Sequence, residues 1–151
     1  MVKICSNYYN SDNNDNNENY KSYFDYYENN DFKLSSFQKW TIEAIVKGKN
    51  VLNCAHTGSG KTLGAEFAIN YFSQKGKKVI YTSPIKALSN QKYYEFNNKF
   101  PNINFGLLTG DIKNNPEADV LIMTTEILLN NLYSFVNFNE HKNENENENE
   151  N

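Results

Sequence analysis

The chain has 151 residues, enough for one domain with a real core and too few for two full-sized ones; 38% are hydrophobic and the formal charge is -3. That charge is uneven: residues 1–31 hold two Lys against six acids, residues 140–151 one against five, and the body between them twelve against seven, with no Arg anywhere. Two cysteines, no signal-peptide pattern before Cys5 and no apolar run near 18 residues exclude a disulfide scaffold and a membrane span, so an intracellular, reducing setting is expected.

Residues 1–31 are rich in Asn, Asp and Tyr, show no helical or strand period, and are expected to lack order. Ser35-Ser36-Phe37-Gln38 has the spacing of a capping box and predicts a helix. Phe37, Trp40, Ala44 and Ile45 would share its apolar face as far as Gly48. Asn50 to Cys54 predicts a short strand, with Cys54 a buried, inert thiol at its end. Ala65, Ala68, Ile69 and Phe72 mark a second helix, ending near Gly76. Val79-Ile80-Tyr81 predicts a strand closed by Ser83-Pro84, followed by a helix to about Phe96. Phe105 to Leu108 and Asp119 to Met123 predict two more strands, and a last helix runs from about Thr125 to Tyr133. The NENENENEN tail, residues 140–151, reads as disordered. Strand and helix alternate through residues 32–139, which predicts an α/β layer fold with a parallel sheet.

Ala55-His56-Thr57-Gly58-Ser59-Gly60-Lys61-Thr62 matches the phosphate-binding pattern G-x-x-x-x-G-K-[ST], with Ala55 at the first glycine. Small residues let successive backbone N–H groups converge on phosphate oxygens at the positive end of a helix dipole. Lys61 supplies a point charge for the β- and γ-phosphates of ATP, and the Thr62 hydroxyl is the candidate Mg²⁺ ligand. His56 reads as a loop spacer, because no proton transfer is suggested there.

The loop does not stand alone. Phe37-Gln38 precedes it, and SPIKALSNQKY (Ser83–Tyr93), GLLTGD (Gly106–Asp111) and MTTEIL (Met123–Leu128) follow in order. Together these blocks resemble the first RecA-like domain of superfamily-two helicases, and their wording resembles the superkiller-type DEVH-box RNA helicases, partners of the exosome. DEAD-box proteins normally read PTREL in the second block. The resemblance covers about Phe32 to Tyr133 and implies a P-loop NTPase fold, ATP and Mg²⁺ as cofactors, and single-stranded RNA held by its backbone. Lys61 and Thr62 would be the catalytic residues of that ATP site.

By the same resemblance, Phe32 stacks on the adenine and Gln38 reads its edge, although Gln38 also fits the capping box. Ser83, Pro84, Lys86 and Ala87 resemble one block that touches the nucleic-acid backbone. Thr109, Gly110 and Asp111 resemble a second, and Thr124, Thr125 and Glu126 a third. Hydroxyls and helix N-terminal amides suit phosphates, which position a strand without reading its sequence. For Thr124 an N-cap is the plainer reading. The lysine surplus of the body agrees with a polyanionic partner. Leu129 stands where the family often has an arginine, and no arginine finger can come from a chain without Arg.

The family pattern continues to a DEVH block, whose acids hold Mg²⁺ and position the attacking water, and to a second RecA-like domain. Neither is found after Tyr133, and the absent DEVH strand would leave unpaired sheet edges. Residues 1–151 alone are therefore not expected to hydrolyse ATP at a helicase-like rate. Three readings stay open: an ATP-dependent superkiller-type RNA helicase of which this is the N-terminal part, with the remaining helicase domains on another chain as a candidate partner; a non-catalytic nucleotide- or RNA-binding module; or an inactive relic of a split helicase gene.

Overall fold

The computed structural model describes residues 4–5, 18–28 and 32–134. The tail expected to be disordered at 140–151 and most of the early Asn-rich stretch lie outside the described residues. The chain divides into two compact units, residues 1–71 and 72–151.

The first unit holds α1 (Glu18–Tyr27), α2 (Ser36–Val46) and α3 (Thr62–Ser73). Helix α1 lies within residues 1–31, where no order was expected. Its hold is tertiary rather than intrinsic. Tyr23 meets Phe67 and Tyr71 edge-on at 5.5 and 5.8 Å, and Tyr27 meets Phe67 at 6.3 Å. Such pairs contribute about 0.5–1.5 kcal/mol each beyond their buried area. Burial, with Tyr26 and Glu66 adding to it, pushes the Tyr27 phenol up to about 12. Just after the helix, the Glu28 carboxylate accepts from the Leu34 N–H at 3.0 Å and pairs with Lys39 at 2.8 Å.

Helix α2 begins where the capping box places it, with the Ser35 N–H donating to Gln38 Oε1 at 2.8 Å. Its buried face differs from the expected one. Gln38, Thr41, Ile42 and Glu43 are buried, whereas Phe37, Trp40, Ala44 and Ile45 are only half-buried. Packing against α1 accounts for part of this. Glu43, at 3% exposure, pairs with Lys47 at 2.6 Å, and the Lys47 ammonium lies over the Tyr20 ring. In α3 the largest buried side chains are Phe67, Ile69 and Tyr71; Ala65 and Ala68 of the predicted face are half-buried.

Asn50 to Cys54 is not a strand. It forms no ladder with any described residue, and Val51 and Leu52 stay exposed. Extended apolar sequence becomes a strand only where a neighbour accepts its backbone bonds. Cys54 is correspondingly exposed, as is Cys5, which corrects the buried-thiol expectation.

The second unit is a four-stranded sheet in the order β1-β4-β2-β3. Its strands are β1 (Val79–Ser83), β2 (Phe105–Leu108), β3 (Lys113–Asn114) and β4 (Val120–Thr124). β1, β4 and β2 run parallel, Ser83 lying beside Thr124 and Leu108 beside Met123. Only β3 is antiparallel, added through the turn after β2. Gly106 permits that addition: a Cβ there would collide with the Asn115 carbonyl and with Leu121. This is the α/β layer with a mostly parallel sheet that the alternation of elements predicts, part of a RecA-like fold. Helix α4 (Lys86–Lys99) packs on β1, β2 and β4. Its fully buried Phe96 meets Tyr81 at 5.3 Å and Phe105 at 6.3 Å, on the sheet face that also carries Leu107, Val120 and Ile122. Residues 125–134 are helical (α5). β1 ends the sheet, its outer edge unpaired among the described residues and its Ile80 half exposed at 52%.

Candidate functional site

In the first unit, the phosphate-loop residues 55–61 lead into the N-terminus of α3, as the pattern requires. Gly58 and Gly60 both have positive φ, +84° and +82°. Asn115 is the one non-glycine with positive φ among the described residues, so Ala55 occupies the first glycine's place in an ordinary backbone conformation. The departure from the pattern at Ala55 is thus tolerated without strain.

Lys61 curls over its own loop, its ammonium donating to the Ala55 and His56 carbonyls at 2.6 Å each. The Ser59 N–H donates to the His56 carbonyl at 3.3 Å, so His56 serves through its backbone, as a spacer would. Three observations fit a phosphate group at this loop. The Ser59 hydroxyl is buried with no hydrogen-bond partner. The N–H groups of Gly60 and Lys61 make no bond to the described backbone. The α3 dipole adds partial positive charge at the same point. Thr57 and Gly58 are exposed and Thr62 is half-buried at the first position of α3. No group of three or more His, Cys, Asp or Glu that could hold a metal occurs among the described residues.

Gln38 is 5% exposed and doubly engaged. Its Oε1 accepts from the Ser35 N–H and hydroxyl at 2.8 and 2.9 Å, while its Nε2 donates to the Gly60 carbonyl at 3.1 Å. The capping role is therefore realised, and the same side chain braces the phosphate loop, a contact that local spacing does not reveal. Thr41 extends the brace, its hydroxyl lying 2.7 Å from the Phe37 carbonyl and 2.8 Å from Asn53 Oδ1. Phe32, 40% exposed, precedes α2.

In the second unit, the three blocks that follow the loop converge. β1, β2 and β4 are parallel, so their C-terminal ends carry Ser83, Thr109 and Thr124 to one side of the sheet. α/β sheets place ligands at such ends. Lys86, opening α4, pairs with Asp111 at 2.8 Å. The Thr109 hydroxyl donates to the same Asp111 oxygen at 3.1 Å and accepts from the Ile112 N–H at 3.2 Å. The Thr125 hydroxyl donates to the Ser83 carbonyl at 3.3 Å, tying the third block to the first. The Lys86 ammonium, followed by the Thr109 hydroxyl, holds the Asp111 carboxyl below its ordinary range.

Burial sorts the candidates. Ser83, Thr109 and Thr124 are buried, and the Ser83 hydroxyl lies 2.6 Å from that of Ser89. These side chains shape the loops from beneath. Pro84, Lys86, Ala87, Gly110, Asp111, Thr125 and Glu126 are exposed. Ser89 is the participant that spacing alone misses, although it stands within the SPIKALSNQKY block. Across the described residues no helix is long and apolar enough to cross a membrane.

Comparison with known proteins agrees with the motif reading. The family model for DEAD/DEAH box helicases matches residues 35–148. The chain is 51% identical over 102 residues to the antiviral helicase SKI2 of Saccharomyces cerevisiae, covering 68% of this chain and 8% of that protein. It is 51% identical over 106 residues to the DExH-box ATP-dependent RNA helicase DExH15 of Arabidopsis thaliana, covering 70% and 9%. With the exosome RNA helicase MTR4 of Homo sapiens the identity is 49% over 102 residues, covering 68% and 10%. The chain thus spans about a tenth of the length of these relatives. The superkiller-type resemblance of its motifs is matched by SKI2 and MTR4 among them. The chain belongs to the DEAD/DEAH box helicase family.

Proposed function

We propose that this chain is the ATP-binding region of a superkiller-type RNA helicase, holding ATP·Mg²⁺ at the phosphate loop and the RNA backbone at the sheet-end loops. The observation that carries the nucleotide half is the buried, unpartnered Ser59 hydroxyl beside the unbonded Gly60 and Lys61 N–H groups at the start of α3. In this reading those groups cradle the phosphates, and Lys61 exchanges the Ala55 and His56 carbonyls for phosphate oxygens. The Thr62 hydroxyl ligates Mg²⁺, Phe32 stacks on the base, and the second Nε2 hydrogen of Gln38, the one not given to Gly60, serves the adenine edge. The RNA half rests on exposed Lys86, Thr125 and the helix N-terminal amides of α4 and α5, which suit a sequence-independent phosphate backbone.

Hydrolysis is a separate matter. No cluster of acids able to hold a metal lies among the described residues; on this reading the carboxylates that complete such a site come from a DEVH block, and a second RecA-like domain supplies the arginine fingers. The test uses purified 1–151. ADP with Mg²⁺ at millimolar concentration should raise the melting temperature, and Lys61→Ala should abolish the shift. Labelled oligo-U RNA should still bind Lys61→Ala and bind less well when Lys86 and Thr125 are replaced by Ala. No thermal shift with the wild-type chain refutes the nucleotide half, and brisk RNA-stimulated ATP hydrolysis refutes the dependence on outside carboxylates.

A further inference from the structure

Asp111 is out of keeping with its surroundings. The loops at the C-terminal ends of β1, β2 and β4 collect a lysine, hydroxyls and helix N-termini, all suited to phosphate. A fully ionised carboxylate among them repels every phosphate that approaches. Screening Lys86 is one use for it, but the geometry gives it more. Both Lys86 and Thr109 bond the same oxygen, Oδ1, at 2.8 and 3.1 Å. No other side chain bonds Oδ2 among the described residues.

The group is also rigid. Thr109 is buried, its N–H donates to the Ile112 carbonyl at 2.8 Å, and its hydroxyl takes the Ile112 N–H in return. Asp111 is thus pinned at the crest of a closed turn, with its side chain 66% exposed. An exposed, fixed acceptor beside a phosphate-binding lysine fits one part of a nucleic-acid backbone, a hydroxyl donor. Ribose has such a donor at its 2′ position and deoxyribose does not.

We propose that Asp111 selects RNA over DNA by accepting a hydrogen bond from a ribose 2′-hydroxyl while Lys86 holds a neighbouring phosphate. The assignment rests on the reading of these loops as an RNA-backbone surface. Without the sugar hydroxyl the carboxylate contributes only repulsion, so one residue both favours RNA and disfavours DNA. Asp111→Asn keeps a carbonyl acceptor and loses the charge; Asp111→Ala loses both.

The test is fluorescence anisotropy at low salt with the full chain and three single-stranded probes of equal length: oligo-U RNA, its 2′-O-methyl form and oligo-dU. Wild type should favour RNA over both others by about threefold to tenfold, the range of one hydrogen bond to an exposed charge. Asp111→Ala should bind all three alike, chiefly through tighter binding of the two probes without a donor. Asp111→Asn should keep part of the preference. The side chain is exposed, so both variants should fold, as circular dichroism checks. A wild-type chain that binds all probes equally overturns the assignment and leaves the backbone reading standing. So does Asp111→Ala tightening all three by one factor, because the carboxylate then only screens Lys86. A wild-type chain that binds none of the probes overturns the backbone reading and the assignment together.

Discussion

Replacing Gly60 by Ala tests the brace between α2 and the phosphate loop, and Gly58→Ala is its natural control. Both glycines have nearly the same left-handed φ, +82° and +84°. An L-residue there costs roughly 1–2 kcal/mol. Loss of glycine's freedom in the unfolded chain returns about 0.4–1 kcal/mol in each case. The surroundings differ. A Cβ at Gly58 meets nothing within 4 Å, whereas one at Gly60 falls 2.6 Å from Gln38 Nε2, the atom that donates to the Gly60 carbonyl. Gln38 is buried and its Oε1 is fixed by Ser35, so it cannot swing aside without opening the capping box. Gly58→Ala should therefore cost about 1 kcal/mol, and Gly60→Ala a further ~0.5–1.5 kcal/mol for the broken hydrogen bond. Urea unfolding followed by circular dichroism separates them: with a slope of about 1–3 kcal/mol per molar, the midpoints should differ by roughly half a molar. In a Gln38→Ala background the excess at position 60 should vanish. Equal midpoint losses for the two alanines in the native background refute the brace.

Phe96→Ala should remove the centre of the second unit and cost about 3–5 kcal/mol, read as a matching fall in unfolding free energy. A loss below 1 kcal/mol would mean that α4 does not seat on the sheet as described. Glu28 gives a pH signature: its bond to Lys39, then that to the Leu34 N–H, lowers its folded pKa below the ordinary 4.5. Its stabilisation is thus present above that value and fades as pH falls through the lower folded one. Glu28→Gln should weaken the protein at neutral pH and flatten its acid-unfolding limb; superimposable acid limbs would show that the Glu28–Lys39 contact contributes nothing.

Much of the local structure of the candidate site was legible because its signals are local. The glycines, Lys61 and Thr62 sit at fixed spacing, and the capping box places the start of α2 by itself. Phe105 to Leu108 and Val120 to Thr124 are short apolar runs between turns and form strands with little change of boundary. What escaped reading depends on partners distant in sequence. Asn50 to Cys54 looks like a strand but lacks a neighbour to pair with. Helix α1 has no periodic pattern and is held by rings of α3 and by Lys39. β3 is two residues long and exists because Gly106 lets Asn115 approach. The double engagement of Gln38, and the division between buried Ser83, Thr109, Thr124 and their exposed neighbours, follow from the fold and not from the motifs.

The open edge of β1 bears on how the polypeptide behaves in a crowded solution. Along Val79-Ile80-Tyr81-Thr82 the N–H and C=O groups that point away from β4 are unanswered among the described residues and can template another strand, and each molecule brings both template and substrate. Self-association should therefore grow with concentration and during slow refolding. Two neighbours restrain it: exposed Lys77 and Lys78 stand immediately before the run and Pro84 closes it, the charged and ring-bearing gatekeepers that protect natural edges. Their protection is largely electrostatic, so salt or acetylation of the lysines would remove it. Colloidal stability of the isolated chain then rests on two ammonium groups as much as on its core.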